Sequence, residues 1–132
     1  MKDLSKVLFI TDLDGTLLPS NKEPNSKDLR MIEKFRNAGG IFTVATGRAI
    51  QSASMFFDDL KIKTEPVIVC NGSGIFDMKD NRFIWQKFVD DSAYDVVQHL
   101  LDKFPQAGGE VSLNDKIIVA RMNDEEKRQL YL

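Results

Sequence analysis

The sequence has little of what marks secreted, membrane-spanning or nucleic-acid-binding proteins. It contains one cysteine in 132 residues, so it cannot form an internal disulfide, which fits a reducing compartment. The formal net charge of −2 argues against binding to nucleic acid or to an anionic membrane surface. The apolar run near the amino terminus, Val7 to Ile10, is far too short for a signal peptide or a membrane span. We therefore expect a cytoplasmic protein with neither nucleic acid nor a membrane as partner.

The run Val7 to Ile10 leads into the most informative segment of the chain, which contains Asp12, Asp14, Gly15 and Thr16. An unbroken apolar run is typical of a buried strand in a parallel sheet. Residues i and i+2 at a strand end point to the same side, so both carboxylates should face the crevice where α/β sheets bind ligands. Two adjacent carboxylates need a cation or a shared proton. Glycine permits the sharp turn, and the threonine hydroxyl can fix it. The alternative is an acidic turn whose carboxylates are solvated or act as caps.

A helix and a second strand follow. Asn25 or Ser26 can cap the helix. Gly39-Gly40 should end it, and Ile41 to Ala45 forms the next strand. The order strand, helix, strand predicts a right-handed βαβ unit with parallel strands. The apolar face of the helix is predicted to contain Leu29, Met31, Ile32, Phe35 and Ala38.

Thr46, Gly47 and Arg48 come directly after the second strand, so they should lie at the same sheet edge as Asp12. A hydroxyl, free backbone N–H groups and a guanidinium together suit an anion such as phosphate. The alternative is a threonine that caps a helix and an arginine that is solvated.

A third strand, Val67 to Cys70, ends in Asn71-Gly72 at the same edge. This dipeptide is also a common turn. Cys70 is expected to be a small buried hydrophobe. A helix is predicted between the second and third strands from the apolar spacing of Ile50, Ala53, Phe57 and Leu60.

From about residue 80 the order changes to hairpin, helix, hairpin. Strands are predicted on either side of the turn 79–81, and again on either side of 114–115. A helix with a stripe through Val97 and Leu100 lies between the hairpins, and a last helix is predicted over 124–132. His99 lies off that stripe and is expected to be exposed rather than a ligand.

Asp12-Leu13-Asp14-Gly15-Thr16-Leu17-Leu18 resembles the first motif of the haloacid dehalogenase-like (HAD) phosphohydrolases, and residues 41–48 resemble the second. Asn71-Gly72 is similar to the strand end that precedes the cap domain in Cof-type members. The resemblance implies an α/β fold with a Rossmann-like parallel three-layer core. The core would be incomplete and would span residues 1–79, and the start of a small α+β cap would span 80–132.

The resemblance also implies a chemistry. Asp12 would be the nucleophile and Asp14 the acid/base, with a pKa that the neighbouring carboxylate raises. Mg²⁺ would be held by the same two aspartates. The substrate would be a small phosphorylated metabolite such as a sugar phosphate. Phosphate or substrate contacts are expected from Thr46, Gly47, Arg48, Asn71 and Gly72.

The lysine of the family's third motif and the acidic loop of its fourth are absent after residue 80. We therefore expect a fragment that is inactive or weakly active alone. Its first strand should lie at an exposed edge and invite self-association. Two other functions stay open, a non-catalytic remnant that binds phosphate or a partner chain, and a phosphomutase of the same superfamily. A response-regulator receiver domain also has acidic residues after its first strand. It would need an aspartate where this chain has Asn71, so this function is set aside.

Overall fold

The computed structural model describes residues 3–63, 65–113 and 116–124. It forms two compact units, the first ending at Lys87 and the second beginning at Phe88. This division lies after the predicted boundary at residue 80, because the strand that follows residue 80 pairs with the strand before it. The assignment of core and cap to residues 1–79 and 80–132 stays a prediction.

In chain order, the first unit consists of β1 (Leu8–Thr11), α1 (Ser26–Asn37), β2 (Ile41–Val44), α2 (Ile50–Ala53), a 3₁₀ turn (Ser54–Phe56), β3 (Pro66–Val69), a second 3₁₀ turn (Cys70–Gly72), β4 (Gly74–Asp77) and β5 (Arg82–Gln86). Those of the second unit are α3 (Ala93–Lys103), β6 (Gly109–Ser112) and β7 (Ile117–Arg121).

Parallel pairing brings the ends of the first three strands together. β1 pairs with β2 in parallel, with Thr11 opposite Val44. Ala45, just beyond β2, forms a parallel bridge with Ile68 of β3. The predicted parallel βαβ unit is therefore confirmed, and segments that follow β1, β2 and β3 emerge at a common edge. β3, β4 and β5 continue as an antiparallel meander, as the predicted hairpin requires.

The core of the first unit lies among these elements. Asn25 caps α1, since its side chain accepts a hydrogen bond from the N–H of Lys27 at 2.8 Å. In α1, Ile32 is buried, whereas Met31, which was predicted to lie on the same apolar face, is exposed. In β5 the single tryptophan, Trp85, is half-exposed and lies opposite Ile75 of β4. The fully buried large side chains are Phe42, Leu13, Leu18, Leu60, Ile62, Val44, Val67 and Val69.

The helix predicted from Ile50 to Leu60 is wrong in length. α2 ends at Ala53, and a 3₁₀ turn follows. The hydroxyl of Ser52 donates to the carbonyl of Ala49, and that of Ser54 to the carbonyl of Gln51. Such hydroxyls compete with the backbone pattern of a helix. Of the four predicted apolar residues, Ala53, Phe57 and Leu60 are nevertheless buried, and Ile50 is partly buried against the same core.

β1 is not the buried strand that its composition predicts. Leu8, Phe9 and Ile10 are 54%, 53% and 42% exposed. Among the described residues β1 pairs only with β2, so its other side is open. The prediction of an exposed apolar edge at this strand is confirmed.

The second unit combines α3 with the hairpin β6–β7, as predicted. Among the described residues of this unit, Leu101 is the buried hydrophobic one, and the guanidinium of Arg121 donates to the carbonyl of Leu101. His99 is exposed, which confirms its expected place. Most of the helix predicted over 124–132 lies outside the described residues. Within the described parts of the chain, no helix is long and apolar enough to cross a bilayer.

Candidate active site

The two aspartates of the first motif follow β1 and flank a residue that belongs to the core. Leu13 is fully buried, whereas Asp12 is exposed and Asp14 is partly exposed. This burial pattern fits the predicted alternation. The hydroxyl of Thr16 donates to Oδ2 of Asp12 at 3.5 Å, which confirms that it bonds back across the turn. Gly15 has φ +73°, a left-handed conformation that glycine adopts without strain.

Arg48 joins the second motif to the first. Its Nε and Nη2 donate to Oδ2 and Oδ1 of Asp14 at 2.7 and 2.8 Å, a bidentate ion pair. The ring of Phe56 lies 5.0 Å from the guanidinium carbon, so an aromatic face supports the arginine as well. Phe56 thus has a place beside the site that its spacing did not predict.

Thr46 is buried, with 5% of its surface exposed. Its hydroxyl oxygen accepts the backbone N–H of Arg48 at 3.2 Å. A hydroxyl that accepts one hydrogen bond keeps its own proton for donation. The predicted contact of Thr46 with an anion would use this proton, and it stays a prediction.

The segment after β3 is tied to the same place. The N–H of Asn71 donates to the carbonyl of Thr46 at 3.2 Å, and the N–H of Cys70 donates to the carbonyl of Arg48 at 2.9 Å. A Cβ atom on Gly47 would lie 2.9 Å from Oδ1 of Asn71, so a larger residue at this position would displace the end of the Asn71 side chain. Asn71 and Gly72 both have positive φ, at 54° and 87°. The structure therefore places Asn71 against the Thr46–Arg48 segment, with Gly72 next in the chain.

Sequence reasoning missed Lys22. Its Nζ lies 2.7 Å from Oδ1 of Asp14, the same oxygen that Arg48 contacts through Nη2. Lys22 belongs to the loop after the first motif, and no motif spacing marks it. The conformation of that loop brings it to the site.

The electrostatics of Asp14 differ from the prediction. Hydrogen bonds from Arg48 hold the pKa of the Asp14 carboxyl well below its usual range, and Lys22 lowers it further. In turn, Asp14 raises the pKa of Arg48. The prediction of a raised pKa for Asp14 is wrong for this structure, because the hydrogen bonds and charges of Arg48 and Lys22 outweigh partial burial, which acts in the opposite direction.

The residues fit a magnesium ion to a limited extent. Mg²⁺ sites commonly use one or two carboxylates with water and substrate phosphate. Asp12 presents an exposed carboxylate, whereas both carboxylate oxygens of Asp14 are engaged by cations. If the ion binds, the Asp12 carboxylate would be its side-chain donor, and the resemblance implies Asp14 as the second donor.

The fold and the site together define an α/β protein in which the acidic segment after β1 is joined, through Asp14, to Arg48 in the Thr-Gly-Arg segment after β2. The chain belongs to the haloacid dehalogenase-like hydrolase family, whose model matches residues 9–131.

Individual relatives agree with this assignment. A 5-amino-6-(5-phospho-D-ribitylamino)uracil phosphatase of Bacillus subtilis, YitU, is 30% identical over 95 residues, which are 72% of this chain and 34% of that protein. A solved haloacid dehalogenase-like hydrolase from B. subtilis is 30% identical with a TM-score of 0.76, covering 93% of this chain and 42% of that one. A solved HAD subclass IIB sugar phosphatase shares the fold, with a TM-score of 0.79 at 21% identity over 95% of this chain and 48% of that one. The chain thus spans about a third to a half of the length of these proteins.

Proposed function

We propose that this chain carries the nucleophile and phosphate-binding residues of a Mg²⁺-dependent phosphomonoester hydrolase. Its substrates would be small phosphorylated metabolites such as sugar phosphates. One observation carries the proposal, namely the bidentate contact that joins Arg48, after β2, to Asp14, after β1. The family match and the phosphatase names of its relatives support the reaction class.

In the proposed reaction a carboxylate oxygen of Asp12 attacks phosphorus, and the bond to the leaving alcohol breaks. This forms an aspartyl-phosphate. Asp14 delivers the proton to the leaving oxygen, then takes a proton from water as that water attacks phosphorus and releases phosphate. The Thr46 hydroxyl and the Arg48 guanidinium donate to the phosphoryl oxygens, where negative charge must be stabilised. A bound Mg²⁺ ion would offset the charge that Asp12 and the phosphate bring together.

Asp14 has to change partners for this role. Its ion pairs favour the charged carboxylate, which has no proton to give. When Arg48 turns from Asp14 to a phosphoryl group, the charged form of Asp14 loses its main support. We propose that this exchange is incomplete, so that turnover is low.

A second candidate function is phosphate binding without turnover. The cations that face Asp14 favour it, because they suit an anion while they keep Asp14 from acting as an acid. The chain would then hold inorganic phosphate or a phosphate ester without hydrolysing it.

The test compares hydrolysis of p-nitrophenyl phosphate with Mg²⁺ by the parent chain and by Asp12→Asn. Loss of the nucleophile should lower turnover by at least about a hundredfold. Asp59→Asn is the matched control, because Asp59 is also an exposed aspartate but lies in the turns after α2. It should keep the parent rate.

If Asp12→Asn keeps the turnover of the parent, the proposed hydrolase function is wrong. Absence of turnover in the parent, together with saturable binding of phosphate, would favour the second candidate.

A further inference from the structure

Two cations converge on one oxygen atom of Asp14. Nζ of Lys22 lies 2.7 Å from Oδ1, and Nη2 of Arg48 lies 2.8 Å from it. Arg48 was expected from its place after β2, whereas Lys22 comes from a separate loop. Asp14 is therefore the shared anionic partner of two cationic side chains that come from different parts of the chain.

The loop that carries Lys22 is folded back on itself. The N–H of Lys22 donates to the carbonyl of Pro19 at 2.8 Å, and Lys22 has φ 61°. A left-handed conformation costs a non-glycine residue about 1–2 kcal/mol, so local contacts must hold it. The ion pair with Asp14 is one such contact. Closer to the motif, Gly15 and Leu18 are joined by a hydrogen bond of 2.9 Å between the N–H of Gly15 and the carbonyl of Leu18.

The charge balance of this cluster favours an incoming anion. Among the three residues in direct contact, Lys22 and Arg48 carry two positive charges and Asp14 carries one negative charge, while the negative charge of the nearby Asp12 is the one that a bound Mg²⁺ ion would offset. The Lys22 side chain is 47% exposed, and ion pairs at such positions contribute only about 0–1 kcal/mol. Exchange of this contact for a phosphoryl oxygen therefore has a low cost. An ammonium group also has three donors, so Lys22 can contact Asp14 and a second anion together.

We propose that Lys22 is a phosphate-binding residue of this site and donates to an oxygen of the phosphoryl group beside Arg48. The ligand is a phosphate monoester or the inorganic phosphate released from it. The inference rests on the proposed function, since it adds a residue to the same site.

The test uses the full 132-residue chain with Mg²⁺ and four proteins: the parent, Lys22→Met, Lys22→Arg and Lys61→Met. Lys61 is the matched control because it is an exposed lysine in an ion pair, with Glu33 at 3.2 Å. Calorimetry gives the Kd for inorganic phosphate, and p-nitrophenyl phosphate gives KM and kcat. Thermal melts verify that each variant is folded.

Lys22→Met should weaken phosphate binding by about tenfold, the size expected for loss of a hydrogen bond to a charged group. KM for the ester should rise by a similar factor. Lys22→Arg should restore binding because it keeps the charge, and Lys61→Met should match the parent. A structural role for Lys22 would instead lower the melting temperature and leave Kd unchanged.

The outcomes separate this inference from the proposed function. If the parent binds phosphate and Asp12→Asn abolishes turnover, but Lys22→Met keeps the parent Kd and KM, only the role of Lys22 is overturned. A parent that neither binds phosphate nor hydrolyses the ester would overturn both. If weaker binding affects the ester alone and not inorganic phosphate, Lys22 contacts the alcohol part rather than the phosphoryl group, and the proposal fails.

Discussion

Asp14 is a single residue whose charge connects stability to pH. Its partners Arg48 and Lys22 favour the carboxylate, so its pKa in the folded chain lies below the value of about 3.9 expected in the unfolded chain. The stability that this depression provides is fully present above the unfolded pKa. It is lost as the pH falls through the folded pKa.

Asp14→Asn should therefore lower the free energy of unfolding at neutral pH by at most about 1 kcal/mol, since the pairs are partly exposed and screened. The difference from the parent should shrink below about pH 4, where the unfolded carboxyl takes up its proton. Urea titrations at neutral and acidic pH measure it.

Asp80→Asn is the control for this change, because Asp80 makes a longer pair with Arg82 at 3.5 Å and both side chains are more exposed. It should alter stability less than Asp14→Asn at either pH. A difference for Asp14→Asn that grows as the pH falls would contradict the assigned direction of the pKa shift.

At the scale of elements, α1 depends on its cap. The Asn25 side chain accepts the N–H of Lys27, and α1 in turn places Ile32 against the core. Asn25→Ala should lower the free energy of unfolding by about 1 kcal/mol because an N–H in the first turn loses its acceptor. Denaturation in urea, followed by far-ultraviolet circular dichroism, measures this loss.

Asn25→Asp keeps an acceptor and should stay close to the parent. If Asn25→Ala is as stable as the parent, the cap does not contribute to α1.

Local chemistry explains which elements could be predicted from the sequence. The cap at Asn25 and the glycines after α1 act within a few residues of the helix, so the bounds of α1 follow from them. The apolar spacing from Ile50 onward predicts burial correctly but predicts the wrong backbone. Tight turns can bury the same side chains, and hydroxyls of Ser52 and Ser54 bond to nearby carbonyls.

The candidate site likewise has parts that the sequence predicts and parts that it does not. Motif spacing and parallel topology bring Asp14, Thr46 and Asn71 to one edge. The partners of Asp14 could not be predicted, because they depend on side-chain contacts across the chain. Lys22 reaches Asp14 from a turn in which Lys22 itself has a left-handed conformation. A lysine does not indicate such a conformation in the sequence, as a glycine or an asparagine would.

At the scale of the whole molecule, the exposed edge of β1 is the feature from which we expect self-association. Leu8, Phe9 and Ile10 present apolar side chains beside an unpaired strand edge, counted over the residues that the structure describes. Such an edge favours pairing with another chain. We expect the protein to associate as its concentration rises, with sedimentation velocity as the measurement.

Leu8→Lys should reduce this association, because a lysine on an edge strand opposes pairing. Met31→Lys is the control, since Met31 is an exposed apolar residue on α1 rather than on a strand edge. A parent that sediments as a monomer at every concentration would contradict the expected pairing. An equal reduction of association by Leu8→Lys and Met31→Lys would contradict it as well.

The place of Trp85 in β5 has a practical consequence. It is the single tryptophan of the chain, and it lies in the unit that also holds Asp12, Thr46 and Asn71. Its intrinsic fluorescence is therefore a spectroscopic reporter of that unit alone. Emission recorded beside a probe of both units can reveal whether the two halves of the chain melt in one transition or in two.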